Sequence, residues 1–312
     1  MCELPLLASL RVAGADAESF LQGQLTSDVS ALASGSAQHS AWCSPKGRVL
    51  ANFLLRRSDA QTFVLLLPAP LLEPVRKRLA MFVLRSKVAL EDASRANAYF
   101  GVGGPAADKC VESIFGVAPR LLRFDAVGDA VVAALPGGGF VVAAASDRSR
   151  ALGARLAECA TPAAVTAWDW LAIRAGVPTI LPATQDQFIP QMINWDALGG
   201  VNFQKGCYAG QEIVARTQYL GRLKERLVLA HVDAAAPSPG ARGFSSSFGD
   251  QPCATVINAA PAPGGGSDLL AVCQIAAAAS GDLRLNAPDG PSLELLPLPY
   301  ELPVPTPRSK LA

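Results

Sequence analysis

Val201-Asn-Phe-Gln-Lys205-Gly-Cys207-Tyr-Ala-Gly210-Gln-Glu212-Ile-Val-Ala-Arg216 sets one cysteine among a cation, two glycines and a carboxylate. A thiol serves as nucleophile or metal ligand only as thiolate, and local charge decides how much thiolate exists near neutral pH. Val201 to Phe203 has extended character while Gly210 to Thr217 carries helix formers, which predicts Cys207 on the turn entering a helix. A helix N-terminus stabilises anions, Lys205 adds positive charge, and Gly206 allows backbone conformations that a side chain forbids. Glu212 opposes the thiolate if it faces the sulfur; it can equally bind ligand NH groups or pair with Arg216 one helical turn on. The bland alternative is that Cys207 is a buried small hydrophobe, as free cysteines usually are.

The chain around this stretch has 312 residues, enough for two or three domains with sizeable cores. Half of it is hydrophobic and 17% is charged, which argues against wholesale disorder. A net charge of +1 gives no global attraction to nucleic acid or to a membrane surface, so direct nucleic-acid binding is not implied. No apolar run is long enough to span a bilayer, and the N-terminus lacks the basic start of a secretory signal. The seven cysteines are odd in number, widely spaced and free of Cys-x-x-Cys pairs. That predicts free thiols in a reducing cytoplasm and no structural zinc or four-cysteine iron–sulfur site.

Gly14 to Leu32 reads as a helix capped by Asp16, with Leu25, Val29 and Leu32 continuing its apolar face. Arg48 to Arg57 and Thr62 to Leu67 read as strands, Leu71 to Val83 as a helix, and the runs flanking Pro136 to Gly139 as a hairpin. Ser146 to Ala160 and Thr161 to Ala175 read as helices, the second with Thr161 as cap, Pro162 at its first position and Gly176 at its end. From about residue 227 short β-like runs alternate with turn-rich pieces, which predicts a small terminal barrel or sandwich. Leu296 to Pro307 carries a proline at almost every second position and reads as a strap or tail.

Lys205-Gly-Cys207-Tyr-Ala-Gly-Gln-Glu212 resembles the signature of the YgfZ-type folate-binding proteins, relatives of the aminomethyltransferase (T-protein) of the glycine cleavage system. Gly14 to Val29, Cys43 to Arg48, Trp168 to Arg226 and Leu298-Pro-Tyr300 extend the resemblance, and residues 85 to 160 match in outline only. The resemblance implies an α+β fold of three subdomains in a ring around a central folate pocket, closed by a C-terminal antiparallel β-barrel. In domain terms that places an aminomethyltransferase-like folate-binding region at 1–226 and the barrel with the proline-rich tail at 227–312.

The same resemblance implies tetrahydrofolate or a one-carbon derivative as cofactor, and iron–sulfur client enzymes, such as a tRNA methylthiotransferase, as partners. It assigns the motif cysteine to Cys207 and a folate-contacting tryptophan to Trp168; the family's second, N-terminal tryptophan falls near Leu7. Between Asn202 and Arg226 five cations face two acids, a local excess of three suited to folate carboxylates. The candidate catalytic set is Cys207 with Lys205 and Glu212. The candidate folate-binding set is Trp168, Gln191, Tyr208, Gln211, Arg216, Arg222 and Lys46, with no metal ligands.

The places comparable to the transferases' catalytic carboxylate and amide, Leu66 to Leu72 and Gly137 to Val142, supply neither group. The expected role is therefore that of a folate-binding accessory protein for iron–sulfur enzymes and, through them, tRNA modification. A folate-dependent one-carbon transferase is the alternative. A cysteine hydrolase lacks a base, because neither His39 nor His231 stands in a catalytic-looking block.

Overall fold

Short apolar runs ended by Gly, Pro and Asp turns make strands the commonest element of the chain, with helices between them. The computed structural model describes residues 1–128 and 130–303. Two units divide it: one gathers Met1–Gln22, Asp28–His39 and Phe53–Leu171, the other Gly23–Ser27, Ser40–Asn52 and the chain from Ala172 on. No helix among the described residues is long and apolar enough to cross a membrane.

The strands up to residue 145 are β1 (Cys2–Glu3), β2 (Leu7–Ala13), β3 (Ala37–Cys43), β4 (Val49–Arg57), β5 (Thr62–Pro68), β6 (Ala89–Asp92), β7 (Asn97–Val102), β8 (Asp125–Val127), β9 (Ala130–Leu135) and β10 (Gly139–Ala145). They form two five-stranded sheets with the orders β1-β7-β10-β9-β8 and β3-β4-β5-β2-β6. The predicted hairpin is β9–β10, with Leu135 opposite Gly139 and both Gly137 and Gly138 at positive φ, the conformation glycine adopts without strain.

The helices α1 (Ala17–Gln22), α2 (Ala69–Ala80), α3 (Ala107–Phe115), α4 (Ser149–Ala157) and α5 (Val165–Arg174) complete this half of the sequence. Because a strand alternates faces, Phe100, Val102, Phe140 and Val142 meet α3 and α4 through Val111, Phe115, Leu152 and Leu156. Tyr99, Val141 and Ala143 on the reverse face meet Leu66, Phe124 and the half-buried Trp168. Each fully buried Leu, Val or Phe contributes about 1.5–3 kcal/mol, so these two layers hold the unit together.

Three expectations are corrected here. The helix predicted over Gly14 to Leu32 stops at Gln22; Leu25 instead bridges Trp42, and Leu25, Val29 and Leu32 are buried from non-helical chain. The carboxylate of Asp16 accepts from the Lys87 N–H at 2.7 Å, a partner distant in sequence. The helix predicted from Thr161 begins at Val165, because the Thr161 carbonyl and the Ala163 N–H are engaged by Met1. Cys110 and Cys159 are not free thiols: they form a disulfide, their α-carbons brought to 5.3 Å by the packing of α3 and α4 on one sheet face.

The second unit holds α6 (Gln211–Tyr219), α7 (Ile275–Ser280) and the strands β11 (Glu225–Val232), β12 (Arg242–Phe244), β13 (Ala254–Pro261), β14 (Ser267–Gln274), β15 (Arg284–Leu285) and β16 (Glu294–Leu296). Their order, β15-β12-β13-β14-β11-β16, makes a curled antiparallel half-barrel around Ala230, Val256, Leu269, Ala271 and Leu285. Of the proline-rich tail, Tyr300 donates to the Gly176 carbonyl at 2.7 Å, fixing the strap to the end of α5. Residues 304–307 of that tail lie outside the described residues.

Candidate functional site

The cysteine stretch is shaped from both ends. Asn202 receives the N–H groups of Gln204 and Lys205 on its side-chain oxygen at 2.7 and 3.0 Å, an Asx turn that reverses the chain. Gly210, at φ +80°, starts α6; a Cβ there would lie 2.4 Å from the Ser44 carbonyl and 2.7 Å from the Gly47 α-carbon. Gly47, at φ +70°, is confined in turn by Ile213, 2.9 Å from where its Cβ would be. The Ser44–Gly47 turn and the start of α6 thus interlock through two glycines, and the turn carries Lys46 exposed.

Lys205 is buried, and its ammonium donates to the carbonyls of Leu25 and Ser27 at 2.6 and 2.9 Å while lying 5.3 Å from the Tyr208 ring centre. The segment that receives it is therefore a loop, not the amphipathic helix its sequence suggested; Gly23 was the signal for the break. Tyr208 is buried beneath the ammonium, and burial, with Cys43 adding to it, pushes its phenol well above the ordinary value. Gln211 donates to the Lys205 carbonyl at 3.3 Å.

Between these fixed residues Gly206 and Cys207 stand exposed. Of the five free cysteines Cys207 is exposed and Cys2, Cys43, Cys253 and Cys273 are buried. Burial pushes the Cys273 thiol up to about 12 and the Cys43 thiol higher still. Accessibility thus singles out Cys207 for chemistry with a partner or ligand.

Gln191, which the resemblance assigns to folate binding, is buried. It is 1% exposed, its amide donates to the Val214 carbonyl at 2.8 Å, and its Oε1 has no hydrogen-bond partner among the described residues. Glu212, Arg216 and Arg222 are exposed, and Glu212 and Arg216 form no ion pair with each other. Arg226 is instead committed to a buried fork on Asp196, at 2.7 and 2.9 Å, and to the Gln191 carbonyl at 2.8 Å. Asp196 gave no sequence signal as its partner. The structure therefore gathers Lys205, Cys207, Tyr208, Gln211, Glu212 and Lys46 around the start of α6.

Trp168 belongs to the other unit. Its ring lies on Gly101 and Gly139 of neighbouring strands; a Cβ at Gly101 would come within 2.4 Å of it. Leu7, at the place of the family's second tryptophan, packs against the same apolar cluster.

Residues 1–138 match the GCVT N-terminal domain family. The tRNA-modifying protein YgfZ of Edwardsiella ictaluri (strain 93-146) is 32% identical over 302 residues, covering 93% of this chain and 89% of that protein. The tRNA-modifying protein YgfZ of Yersinia pestis (strain Pestoides F) is 31% identical over 301 residues, covering 95% and 90%. Among solved structures, glycine cleavage system aminomethyltransferase T from Bartonella henselae aligns with a TM-score of 0.78 over 96% of this chain and 85% of that one. At 16% sequence identity that likeness shows the fold.

Proposed function

This chain belongs to the YgfZ family, and from that premise we propose that it is a tetrahydrofolate-binding accessory protein that supports the synthesis or repair of iron–sulfur enzymes and, through them, tRNA modification. The observation that carries this reading is the exposure of Cys207 on a turn whose other members are locked in place, while the remaining free cysteines are buried. A thiol presented in this way serves exchange with a second molecule, be it a one-carbon unit or iron and sulfur shared with a client. The names of the relatives direct the reading to tRNA, and a tRNA-directed role belongs to the cytoplasm.

The residues present fit a folate. A planar, hydrogen-bond-rich pterin suits a flat aromatic face, and Trp168 offers one that glycines support from behind. Lys46, Arg216 and Arg222 are exposed cations of the kind that attract an anionic ligand. In this reading the family's three-subdomain ring and the division at residue 226 are the frame of the folate site, Lys205 and Gly210 set the Cys207 turn, and Glu212 stands at the open edge of α6. Tetrahydrofolate supplies one-carbon chemistry when bound; the chain supplies the thiol.

The test pairs two variants with two readouts. Cys207→Ser is expected to bind tetrahydrofolate as the wild type does in anaerobic calorimetry, yet to leave methylthio-modified tRNA depleted when it replaces the native protein in cells. Trp168→Ala is expected to weaken folate binding at least tenfold. Full tRNA modification by Cys207→Ser sinks the thiol role. Isotope transfer from labelled methylene-tetrahydrofolate by the purified protein alone establishes the transferase alternative.

A further inference from the structure

Arg56 and Arg57 are neighbours on β4, and a strand sends successive side chains to opposite faces. Arg57 is fully engaged: it donates to the carbonyls of Leu32, Asp59 and Ala60 at 3.1, 3.2 and 3.2 Å and pairs with Glu18 at 2.8 Å. Arg56 takes the other face, which carries Leu54 and, across the register, Val64. Its guanidinium lies over the Phe124 ring at 4.9 Å, its Nε is buried without a hydrogen-bond partner, and no carboxylate pairs with it among the described residues.

Two hydroxyls belong to the same neighbourhood: Tyr99 packs in the cluster that holds Phe124, Leu54 and Val64, and Ser9 lies opposite Leu66 of that cluster across the β2–β5 register. Burial lowers the Arg56 pKa against the opposing influence of Tyr99, and burial raises the Tyr99 phenol against the influence of Ser9 and Arg56. The Ser9 hydroxyl is itself 1% exposed and makes no hydrogen bond of normal geometry. Arg56 is half-buried, and an Nε shut off from solvent without an acceptor is costly for a fold to hold. Retaining it calls for an anion that arrives later.

We propose that Arg56, with Tyr99 and Ser9, is the receptor for a carboxylate of a ligand, the glutamyl tail of a folate. The proposal rests on the folate reading above. Trp168 and Phe124 both border the apolar cluster beside which Arg56 stands, so a flat ring system and its anionic tail find complementary surfaces in one unit. A guanidinium fork matches carboxylate geometry, and one positive charge with two neutral hydroxyls balances one carboxylate; a phosphate dianion would remain half-compensated.

Calorimetry on the full chain, wild type and Arg56→Gln, tests this with three probes: tetrahydrofolate, 6-methyltetrahydropterin, which lacks the tail, and p-aminobenzoylglutamate, which keeps the tail and lacks the pterin. The expected result is a tenfold or greater loss of tetrahydrofolate affinity in Arg56→Gln, unchanged affinity for the tail-less pterin, and an unfolding midpoint no lower than that of the wild type. Equal tetrahydrofolate affinity in the two proteins, or equal losses for tetrahydrofolate and the tail-less pterin, overturns the assignment. If the wild type binds no tetrahydrofolate, the folate reading fails and p-aminobenzoylglutamate decides. Binding to the wild type that Arg56→Gln loses sustains the receptor, and no binding overturns it. Should Arg56→Gln not fold, Arg56→Lys, which keeps the charge but not the fork, is expected to show the same selective loss.

Discussion

In one unit the buried cations Lys205 and Arg226 are met by carbonyls, an aromatic ring and a carboxylate; in the other, Arg56 is half-buried against a ring, its Nε shut off from solvent without a hydrogen-bond partner. The contrast separates two uses of buried charge. A cation whose donors are all answered within its own unit is scaffold, and its removal damages the fold. One whose donors are unanswered is held ready for something else, and its removal damages binding and spares the fold.

The largest effect that can break this comparison is expected at Arg226. Arg226→Leu strands the Asp196 carboxylate, whose side chain is 2% exposed, and should lower stability by about 3–5 kcal/mol in urea unfolding of the full chain. A change below about 1 kcal/mol, within what exposed pairs contribute, would place Arg226 in the same class as Arg56. Lys205→Met comes next: it leaves the Leu25 and Ser27 carbonyls without their donor and should cost about 1–3 kcal/mol, with faster hydrogen exchange through residues 201–210. Exchange that stays slow there would mean that the two glycines alone hold the Cys207 turn.

The smallest effect touches stability not at all. Alkylation of the native protein near pH 8 should mark Cys207 alone, because a raised pKa keeps a thiol protonated until the pH approaches that value, and Cys273 loses its proton only near about 12. Unfolding without reductant should bring five cysteines within reach, and reductant all seven. Labelling of Cys43 at the rate of Cys207 contradicts its burial and sharpens the question of which thiol meets a partner.

Much of this was legible before any coordinates. β4, β5, the β9–β10 hairpin and the terminal strands announced themselves through alternation and turn residues, since both act over a few positions. The failures share a cause in contacts distant along the chain. Leu25, Val29 and Leu32 keep helical spacing yet are buried from a loop, Leu25 bridging Trp42, and Thr161 has the chemistry of a cap but gives its carbonyl to Met1. Nothing local in a 49-residue separation reveals that Cys110 and Cys159 pair. At the site, the octet carried Cys207 and the helix after it, whereas the burial of Lys205 and Gln191 depended on partners that no motif names. Arg56 did leave a trace: two adjacent arginines on a strand cannot both face solvent when one side of that strand is packed.

The paired glycines at 47 and 210 have a consequence for how this protein can vary. Each occupies space that the other's side chain would need, so the Ser44–Gly47 turn and the cysteine turn are inherited as one object. Drift at position 210 has no compensating partner to recruit, because a side chain there would meet backbone of Ser44 and Gly47, which no substitution makes smaller. Recombination that brings the turn of one lineage to the helix of another succeeds only where both glycines travel together.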